Sequence, residues 1–561
     1  MSGRALSRLL SGYVLLLGLA CAGLWSALHL DATGAPSETR IVSLWRGGQR
    51  FAREVVQDEA SVGLMKCKRG CTRIVERIVD SAPLPGSPAI LFAISVVAGR
   101  DGIEARLGDK TVYLTPDDLL AQQAARGGAK HESRELRMGL NDPESVLDGL
   151  ASELGTDRAT LLERGSLRRF IVRREDAVAK TWPLPAAEVD LSAERLRQAI
   201  SGGAAYLARN QAEDGRFAYE LDATSGALTD DYNWPRHGGA TLLLAEVGHE
   251  LGDRAATDAA LRASRLVRDT FTQSCGEHRC IGEGTRIDAG SAALALLAYS
   301  ELTLSGASDE FRGEVAALSA FLRSLQRPDG EFKHIFDRET GRALDVQMAY
   351  YTGEIVLALG RAARITAAQQ NLRAASAGLS RLTRRTLFQS RYTYVPEHWT
   401  CQALDELWER APDPAALEFC LDHQTYNRQY QFRADNPLGD YGGGIASNPF
   451  SPPRFAPTGS RAEGAVATLS AALAARVSRA RLASLEEQVR GSLAYMLRYQ
   501  LQPGPAHLMR DPARVRGAWP GSPIDLSVRI DYPQHVAGAM LRYLRLLADG
   551  RVSIAHAQRP R

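Results

Sequence analysis

Residues 190–548 predict an all-α fold, an (α/α)6 toroid built from six helical hairpins. Six polar loops, rich in Asp, Glu, His, Arg or Tyr, each lead directly into an apolar helix rich in small residues. The loops begin roughly 50 to 75 residues apart, which leaves room for one further amphipathic helix in each interval. Six hairpins of this kind can close a ring.

We call these segments rim loops 1 to 6. They span residues 230–237, 283–288, 347–354, 397–399, 459–463 and 529–535. The helices that follow them are apolar almost all round, so we expect them to form a buried inner layer. Because all six begin after a rim loop, their N-termini should meet at one end of the ring, around a funnel that favours anions.

A partner helix is predicted before each rim loop, with a polar face rich in Arg and Glu. These helices span residues 192–211, 255–272, 309–326, 366–387, 415–424 and 482–500. Polar faces of this composition are typical of an outer layer in contact with water.

A second repeat places a glutamine at the end of a partner helix, before a glycine and an aromatic residue. It is seen as Gln211 with Gly215 and Phe217, as Gln326 with Gly330 and Phe332, as Gln500 with Gly504, and in reduced form at Gln424. The pattern resembles the glutamine–aromatic repeat of terpenoid cyclases and related toroids, with Phe in the usual place of Trp. We expect the glutamine to satisfy free backbone groups at a helix end and the glycine to form the turn.

Composition indicates that most of the chain forms two soluble units and is long enough to bury a large hydrophobic core. The chain has 561 residues, 45% of them hydrophobic, and a formal net charge of +3. Its arginines are scattered among acids, so no basic stripe predicts a nucleic-acid partner.

The N-terminus predicts a signal anchor over residues 1–31. Residues 9–28 are uncharged, preceded by Arg4 and Arg8 and followed by Asp31. A segment of this length can cross a bilayer, and the charges place the bulk of the protein outside the cytoplasm, in the periplasm. A cleaved signal peptide is the alternative and would give a secreted protein.

Residues 32–39 are predicted to be a linker and residues 40–180 a small α+β domain. Strand-like runs lie at 90–99, 102–108, 110–114 and 168–174, and helical runs at 116–125 and 147–155. Gly108 and Asp109 form a plausible hairpin turn. Residues 549–561 are predicted to be a tail.

Six cysteines form three pairs that are close in sequence: Cys67 and Cys71, Cys275 and Cys280, Cys401 and Cys420. An even set in an exported chain predicts disulfides. A zinc site at 275–280, with His278, lacks a fourth ligand, and the sequence predicts neither a metal nor a cofactor.

The toroid also resembles six-hairpin glycosidases, sugar 2-epimerases, polysaccharide lyases and the C-terminal part of glucuronyl C5-epimerases. This resemblance implies an enzyme acting on a polysaccharide or oligosaccharide. Terpenoid chemistry is disfavoured because Thr229-Asp230-Asp231-Tyr232 lacks the spacing of the DxDD acid motif.

Glycoside hydrolysis needs two carboxyl groups, whereas epimerisation or elimination at a uronate needs a base and an arginine for the carboxylate. The predicted catalytic residues are Asp231, His237, Glu354, Asp531 and His535. The predicted substrate-binding residues are Tyr232, Trp234, Arg236, Asp288, Tyr351, Glu397, His398, Arg461, Glu463 and Arg529.

Each assignment has a structural alternative, because an acid before a helix is commonly an N-cap. A non-catalytic toroid that binds or scaffolds an envelope polymer also remains open, with lipid chemistry behind it. The sugar, the reaction type and the oligomeric state are not specified by the sequence.

Overall fold

The computed structural model describes residues 38–57, 61–63, 65–67, 70–97, 99–125, 140, 142–175, 182–386, 397–436, 440–446, 452–502 and 504–553. One compact unit ends at Lys180, and a second begins at Thr181. The predicted anchor lies outside the described residues. Within the residues described, no helix combines the length and the apolar character needed to span a bilayer.

The first unit contains a six-stranded antiparallel sheet with strand order β2-β1-β3-β6-β4-β5. The strands are β1 (Arg40–Arg46), β2 (Gln49–Val56), β3 (Thr72–Pro83), β4 (Asp101–Leu107), β5 (Lys110–Leu114) and β6 (Ser166–Arg174). The turn between β4 and β5 contains Gly108 with φ +59°, as predicted for a tight hairpin. The sequence analysis identified β4 to β6 and did not identify β1 to β3.

Four helices accompany the sheet: α1 (Ala89–Ile94), α2 (Pro116–Ala125), α3 (Pro143–Leu154) and α4 (Arg158–Arg164). The predicted strand at 90–99 is wrong, because its first half forms α1. Phe92 and Ala93 are buried there, whereas Ile90 and Leu91 are exposed. A short apolar run does not by itself distinguish a strand from a helix.

The second unit is the predicted toroid. Its inner helices 1 to 6 are Trp234–Leu251, Ala289–Leu304, Tyr351–Ala362, Trp399–Leu407, Phe455–Ala474 and Asp531–Ala548. Each packs against the next, and inner helix 6 packs against inner helix 1, which closes the ring. The outer helices 1 to 6 are Ala193–Arg209, Arg254–Phe271, Arg312–Ser324, Ala368–Arg381, Pro414–Arg428 and Arg479–Arg498.

The toroid is not purely helical, because short strands are added to its loops. Thr272–Cys275 pairs with His278–Ile281, and Glu220–Asp222 pairs with Ser527–Arg529. A three-stranded sheet joins rim loop 2 to the segment before rim loop 3. The strand pair at 527–529 fixes the backbone of rim loop 6 against the first hairpin.

The glutamine repeat forms a clasp between neighbouring outer helices. Gln211 donates its side-chain amide to the carbonyl of Gly215 at 3.1 Å and to that of Ala259, on outer helix 2, at 3.0 Å. Gln500 makes the same pair of bonds at 2.8 Å each, to Gly517 and to Ala199 on outer helix 1. The second clasp therefore joins the end of the ring to its beginning.

Two details of the predicted repeat are wrong. Gln431, and not Gln424, makes the clasp after outer helix 5, with bonds to the carbonyls of Gly443 and Gln488. Gln500 uses Gly517 instead of Gly504, and Trp519 then takes the aromatic position two residues later. The intervening loops differ in length, so a fixed spacing in sequence missed both glycines.

The clasp glycines have a steric reason to be glycine. Gly215, Gly330, Gly443 and Gly517 have φ values of +99°, +91°, +89° and +87°. A Cβ on any of the four would overlap a backbone carbonyl of the neighbouring outer helix. Close approach of two backbones at a positive φ admits only glycine without strain.

The end of the ring opposite the rim loops is closed by buried ion pairs. Arg361, near the end of inner helix 3, bonds Glu246 of inner helix 1 at 2.8 Å and Glu301 of inner helix 2 at 3.0 Å. Its Nε bonds Glu406 of inner helix 4 at 3.3 Å. Arg545 of inner helix 6 lies 3.9 Å from Glu246. Five inner helices are thus tied together by charges that compensate one another.

All three predicted cysteine pairs are disulfides, which confirms that prediction: Cys67–Cys71, Cys275–Cys280 and Cys401–Cys420. The second closes the hairpin of the two strands at 272–281. The third joins inner helix 4 to outer helix 5.

Substitution of a clasp glycine should destabilise the protein more than substitution of a glycine with a similar φ in open space. Gly252 has φ +67° and no atom within 4 Å of the position that a Cβ would occupy. Gly252→Ala should therefore cost about 1–2 kcal/mol of unfolding free energy. Gly517→Ala adds a backbone overlap and should cost about 3 kcal/mol or more. Equal losses of unfolding free energy in Gly252→Ala and Gly517→Ala, measured by urea denaturation, would contradict the steric role of the clasp glycine.

Removal of the Arg361 charge should leave two buried carboxylates, Glu246 and Glu301, and the partly buried Glu406 without their shared partner. We expect Arg361→Met to lower the unfolding free energy by about 3–5 kcal/mol. Arg265→Met, which removes a half-exposed surface ion pair with Glu310, should cost about 1 kcal/mol or less. A loss at Arg361 no larger than that at Arg265, measured by urea denaturation, would refute the assignment.

Candidate functional site

Polar side chains of the rim loops form a belt around the N-terminal end of the inner helices. Burial and the charges of Asp288 and Glu354 raise the pKa of Tyr351, and Glu354 interacts electrostatically with Asp288 and Glu397. Further along the ring, the side chains of rim loops 4, 5 and 6 are in contact, and rim loop 6 contacts rim loop 1. The six rim loops therefore converge on one end, as the alternation of outer and inner helices requires.

The centre of the belt is a cluster of His398, Glu463 and His535, from inner helices 4, 5 and 6 or the loops before them. Nδ1 of His535 lies 2.8 Å from Oε2 of Glu463. Nε2 of His398 lies 3.8 Å from the same oxygen, and the two imidazole rings are 5.1 Å apart between centroids. Burial raises the pKa of Glu463, against the lowering effect of His535.

The hydrogen bond to Glu463 has a chemical consequence for His535. A carboxylate that accepts a hydrogen bond from Nδ1–H leaves Nε2 as the unprotonated, basic nitrogen and fixes the orientation of the ring. No hydrogen bond to Nε2 of His535 is formed within the described residues. This arrangement is suited to a general base.

His398 is buried, and its Nε2 has no hydrogen-bond partner among the described residues. Burial lowers its pKa well below the usual value, and the charges of His535 and Arg461 act in the same direction. The ring is therefore neutral at physiological pH. An unpaired buried nitrogen of this kind is costly unless a ligand completes it.

Arg461 is a partly buried cation without a counter-ion among the residues that the structure describes. One of its terminal nitrogens donates to the carbonyl of Pro457 at 3.4 Å, and its Nε has no partner. Burial lowers its pKa, whereas Tyr350, Tyr426 and Tyr430 act in the opposite direction. An uncompensated, partly buried guanidinium indicates a site for an anion.

The His398, Glu463 and His535 cluster also has the donor types of a metal site. One ligand atom from each residue lies within 4.8 Å of the others. The charges of Arg461 and Arg542 both act on His398, however, and Glu463 is the only carboxylate of the cluster. Two neighbouring cations disfavour a dication and favour an anionic ligand.

A second cluster consists of Asp288, Tyr351, Glu354 and Glu397. Burial, together with the charges of Asp288 and Glu397, raises the pKa of Glu354 well above its usual value. Burial raises the pKa of Glu397 to about 7, although this carboxylate accepts the backbone N–H groups of Trp399 and Thr400. Glu397 thus caps inner helix 4, whereas the Oε2 atom of Glu354 has no partner among the described residues.

Asp531 is held between two arginines. Arg529 bonds both of its carboxylate oxygens, at 2.5 and 2.7 Å, and Arg236 bonds one of them at 3.2 Å. Burial alone raises the pKa of Asp531, but the two guanidiniums outweigh it and hold the pKa far below its usual range. A carboxylate paired in this way positions the two arginines and is a poor proton donor. The predicted catalytic role of Asp531 is therefore not what its geometry favours.

His237 has both ring nitrogens engaged in structure. The backbone N–H of Phe217 donates to the hydroxyl of Tyr232, which lies 2.8 Å from Nδ1 of His237. Nε2 lies 3.2 Å from the carbonyl of Ala263, which can only accept, so Nε2 carries the proton. Burial lowers the pKa of His237 to about 4. This neutral histidine fastens rim loop 1 to outer helix 2, and its predicted catalytic role is not favoured.

Asp231 lies outside the belt. It is exposed, and its backbone N–H bonds the hydroxyl of Thr229. Trp234, in contrast, packs against Phe271 with ring centroids 4.1 Å apart. Among the predicted site residues, Asp231 is the one that the fold leaves on the solvent side.

Tyr350 was missed in the sequence analysis. It has φ +76°, an uncommon value for a residue with a side chain, and its ring centroid lies 6.1 Å from that of His398. Backbone strain of about 1–3 kcal/mol is frequently found at functional sites. The adjacent Tyr351 drew attention to the motif, but the sequence carries no signal for which tyrosine faces the cluster.

The low pKa of His237 predicts how its replacement changes acid stability. The unfolded histidine takes up a proton near pH 6.5 and the folded one near pH 4, so the histidine destabilises the fold as the pH falls through this interval. His237→Gln keeps a donor for Ala263 and cannot be protonated. The unfolding free energy of the variant minus that of the wild type should therefore rise by about 2–3 kcal/mol as the pH falls from 7 to 4.5. The prediction is refuted if the unfolding free energies of variant and wild type, measured by urea denaturation, change with pH in parallel.

Comparison with known proteins gives similarity of fold at low sequence identity. No protein-family model matches the chain, and no curated protein matches it. Cellobiose 2-epimerase from Bacillus thermoamylovorans B4167 aligns at 13% identity and a TM-score of 0.47, over 63% of this chain and 98% of that one. An unsaturated glucuronyl hydrolase specific for heparin aligns at 10% and 0.44, over 64% and 99%. An inactive variant of an α-1,6-mannanase of Salegentibacter sp. HEL1_6 aligns at 9% and 0.44, over 63% and 98%.

Proposed function

We propose that the second unit is an enzyme that acts on a uronic-acid-containing glycan by acid–base chemistry. The observation that carries this proposal is the partly buried guanidinium of Arg461, whose Nε is buried without a partner, which has no counter-ion among the described residues and whose charge acts on the unpaired His398. Burial of an uncompensated charge is costly for a passive scaffold. The carboxylate of a bound uronate compensates the positive charge of Arg461.

The base in this reaction is His535, oriented by Glu463. It removes the proton on C5 of the uronate, the carbon next to the carboxylate. The C5–H bond breaks, its electron pair moves into the carboxylate, and Arg461 stabilises the added charge. Return of a proton to the opposite face gives epimerisation, and departure of a leaving group from C4 gives elimination.

The acid in this reaction is Glu354, since burial raises the pKa of its carboxyl group well above the usual value. A carboxyl group whose pKa is raised and a neutral histidine can serve as the acid and the base at one pH, and these are the roles of Glu354 and His535. The same cluster of carboxyl groups also suits glycoside hydrolysis, in which an acid protonates the leaving oxygen. The nature of the product distinguishes the two reactions.

We further propose that the protein acts outside the cytoplasm, held in the membrane by residues 1–31. Three disulfides support an oxidising compartment. The uncharged segment at residues 9–28 supports an anchor.

The test is incubation of the protein with glucuronate, galacturonate and mannuronate oligosaccharides in D2O. Proton abstraction should introduce deuterium at C5, which NMR detects. Elimination should also produce an unsaturated uronate, which is detected by its ultraviolet absorbance. His535→Gln should lower kcat by roughly 100-fold or more, the scale of losing a general base. Arg461→Met should lower kcat/KM by roughly 10- to 100-fold.

Arg265→Met is the matched control for Arg461→Met and should retain turnover, because Arg265 pairs with Glu310 on the outer surface. New reducing ends without deuterium would assign hydrolysis and would contradict the proposed proton abstraction. Tight binding without turnover of any of the uronates would favour a non-catalytic glycan-binding toroid.

A further inference from the structure

An open groove of about 620 Å³ lies on the toroid beside the turn that follows outer helix 1. It is lined by residues of this turn, between positions 209 and 218, by Leu228 and by the loop at 511–514. The volume lies within the roughly 300–1,000 Å³ that small-molecule sites occupy. Because the turn leads into rim loop 1, the groove lies at the rim end of the ring.

Three arginines contribute to the groove: Arg209, Arg216 and Arg514. None of them forms an ion pair among the described residues. One terminal nitrogen of Arg209 donates to the carbonyls of Arg514 and Arg516, at 3.4 and 2.6 Å, and Nε of Arg514 donates to the side-chain oxygen of Asn210 at 3.1 Å. Since a guanidinium has five N–H donors, most of those on Arg209 and Arg514 remain available to a ligand.

Arg216 joins the groove to rim loop 1. Its side chain is exposed, and its guanidinium carbon lies 4.8 Å from the ring centroid of Tyr232 and 5.1 Å from that of Trp234. Contact with ring faces uses no N–H group, so the guanidinium can still bind a carboxylate through two parallel hydrogen bonds. Arg236 of the same loop bonds Asp531 of rim loop 6, which connects this part of the rim to the polar belt.

The two carboxylates of the groove are engaged with the backbone. Asp511 accepts the N–H groups of Ala513 and Arg514 at 3.1 and 3.2 Å, and Asp214 accepts the N–H of Arg216 at 2.9 Å. Within the part of the chain that the structure describes, neither of them pairs with an arginine side chain. The groove therefore offers a positive potential and free donors to an anion.

We propose that this groove binds a carboxylate of the glycan on a sugar unit other than the reacting one, so that the enzyme prefers long uronate chains. The inference rests on the proposed function: Arg461 takes the carboxylate of the reacting unit, and the groove takes one further along the same chain. The forked guanidinium matches the geometry of a carboxylate. The substrate class narrows from any uronate-containing glycan to a polyuronate.

The test measures calorimetric affinity and kcat/KM for galacturonate, glucuronate and mannuronate oligomers, from the disaccharide to the dodecasaccharide. Affinity of the wild type should rise by roughly 3- to 10-fold once the chain reaches the groove, the scale of a few exposed ion pairs. High salt should remove most of this gain, because it screens exposed charges. Affinities that are independent of chain length would overturn the inference. Tighter binding of a single-stranded oligonucleotide than of any uronate would overturn it as well.

The side chain of Leu228 is 50% exposed, so a charge can be placed in the groove there without disturbing the core. Leu228→Glu should remove the gain with chain length, and its matched control Leu228→Lys should keep or enlarge it. Equal behaviour of the two variants would overturn the inference.

Arg216→Gln should reduce the gain with chain length, because it removes one of the three positive charges. Its control is Arg197→Gln, an exposed arginine on outer helix 1 that lies roughly 18 Å along the helix from Arg209 and should bind the series as wild type does. A loss in Arg216→Gln that is the same for every chain length would indicate damage to rim loop 1 and would contradict the groove. If Arg216→Gln does not fold, the two Leu228 variants decide.

The two proposals fail in different ways. Equal kcat/KM for the disaccharide and the dodecasaccharide, unchanged by Leu228→Glu, would refute the groove and leave the proposed function. Binding of long uronates that depends on the charge at Leu228, without turnover of any uronate, would refute the proposed function and leave a polyanion-binding groove. Arg461→Met should lower kcat/KM by the same factor for all lengths and leave the gain with chain length intact.

Discussion

The clasp between a glutamine side chain and two backbone carbonyls is the constraint on which the toroid depends. Gln211, Gln326, Gln431 and Gln500 each bond the carbonyl of a returning glycine and a carbonyl of the next outer helix around the ring. This fixes where the chain turns back toward the ring after an outer helix. Because the rim loops follow these turns, the clasps also determine the height at which the polar side chains meet.

The two ends of the ring treat buried charge in opposite ways. At the closed end, Arg361 pairs with Glu246, Glu301 and Glu406. These paired charges hold the helices together and are not available to a ligand. At the rim, Arg461 and His398 have groups without partners among the described residues, and burial beside Asp288 and Glu397 raises the pKa of Glu354 well above its usual value. An asymmetry of this kind separates a structural ion network from a site prepared for a ligand, although both are built from the same residue types.

The toroid could be predicted because its signals are local: the hairpin period, the apolar inner helices and the polar loops before them. The side-chain roles could not, since they depend on contacts between loops far apart in sequence. Glu463 and His535 are separated by 72 positions, and nothing near either residue announces their hydrogen bond. Glu397 lies just before one inner helix and Asp531 is the first residue of another, yet one caps its helix and the other binds two arginines. The same local pattern is compatible with either outcome, and only the packing of neighbouring hairpins decides.

The clasp at Gln500 gives the ring a property that a linear stack of hairpins lacks. Its bond to Ala199 joins the last outer helix to the first, and the backbone N–H of Leu184 bonds the carbonyl of Arg498 beside it. The first and last segments of the unit are thus neighbours held together without a covalent bond. The chain could consequently begin at any hairpin of the ring. The fold does not depend on the order in which the hairpins are translated. A circularly permuted gene, opened in an exposed outer loop and joined across the native ends, would encode the same arrangement of inner helices.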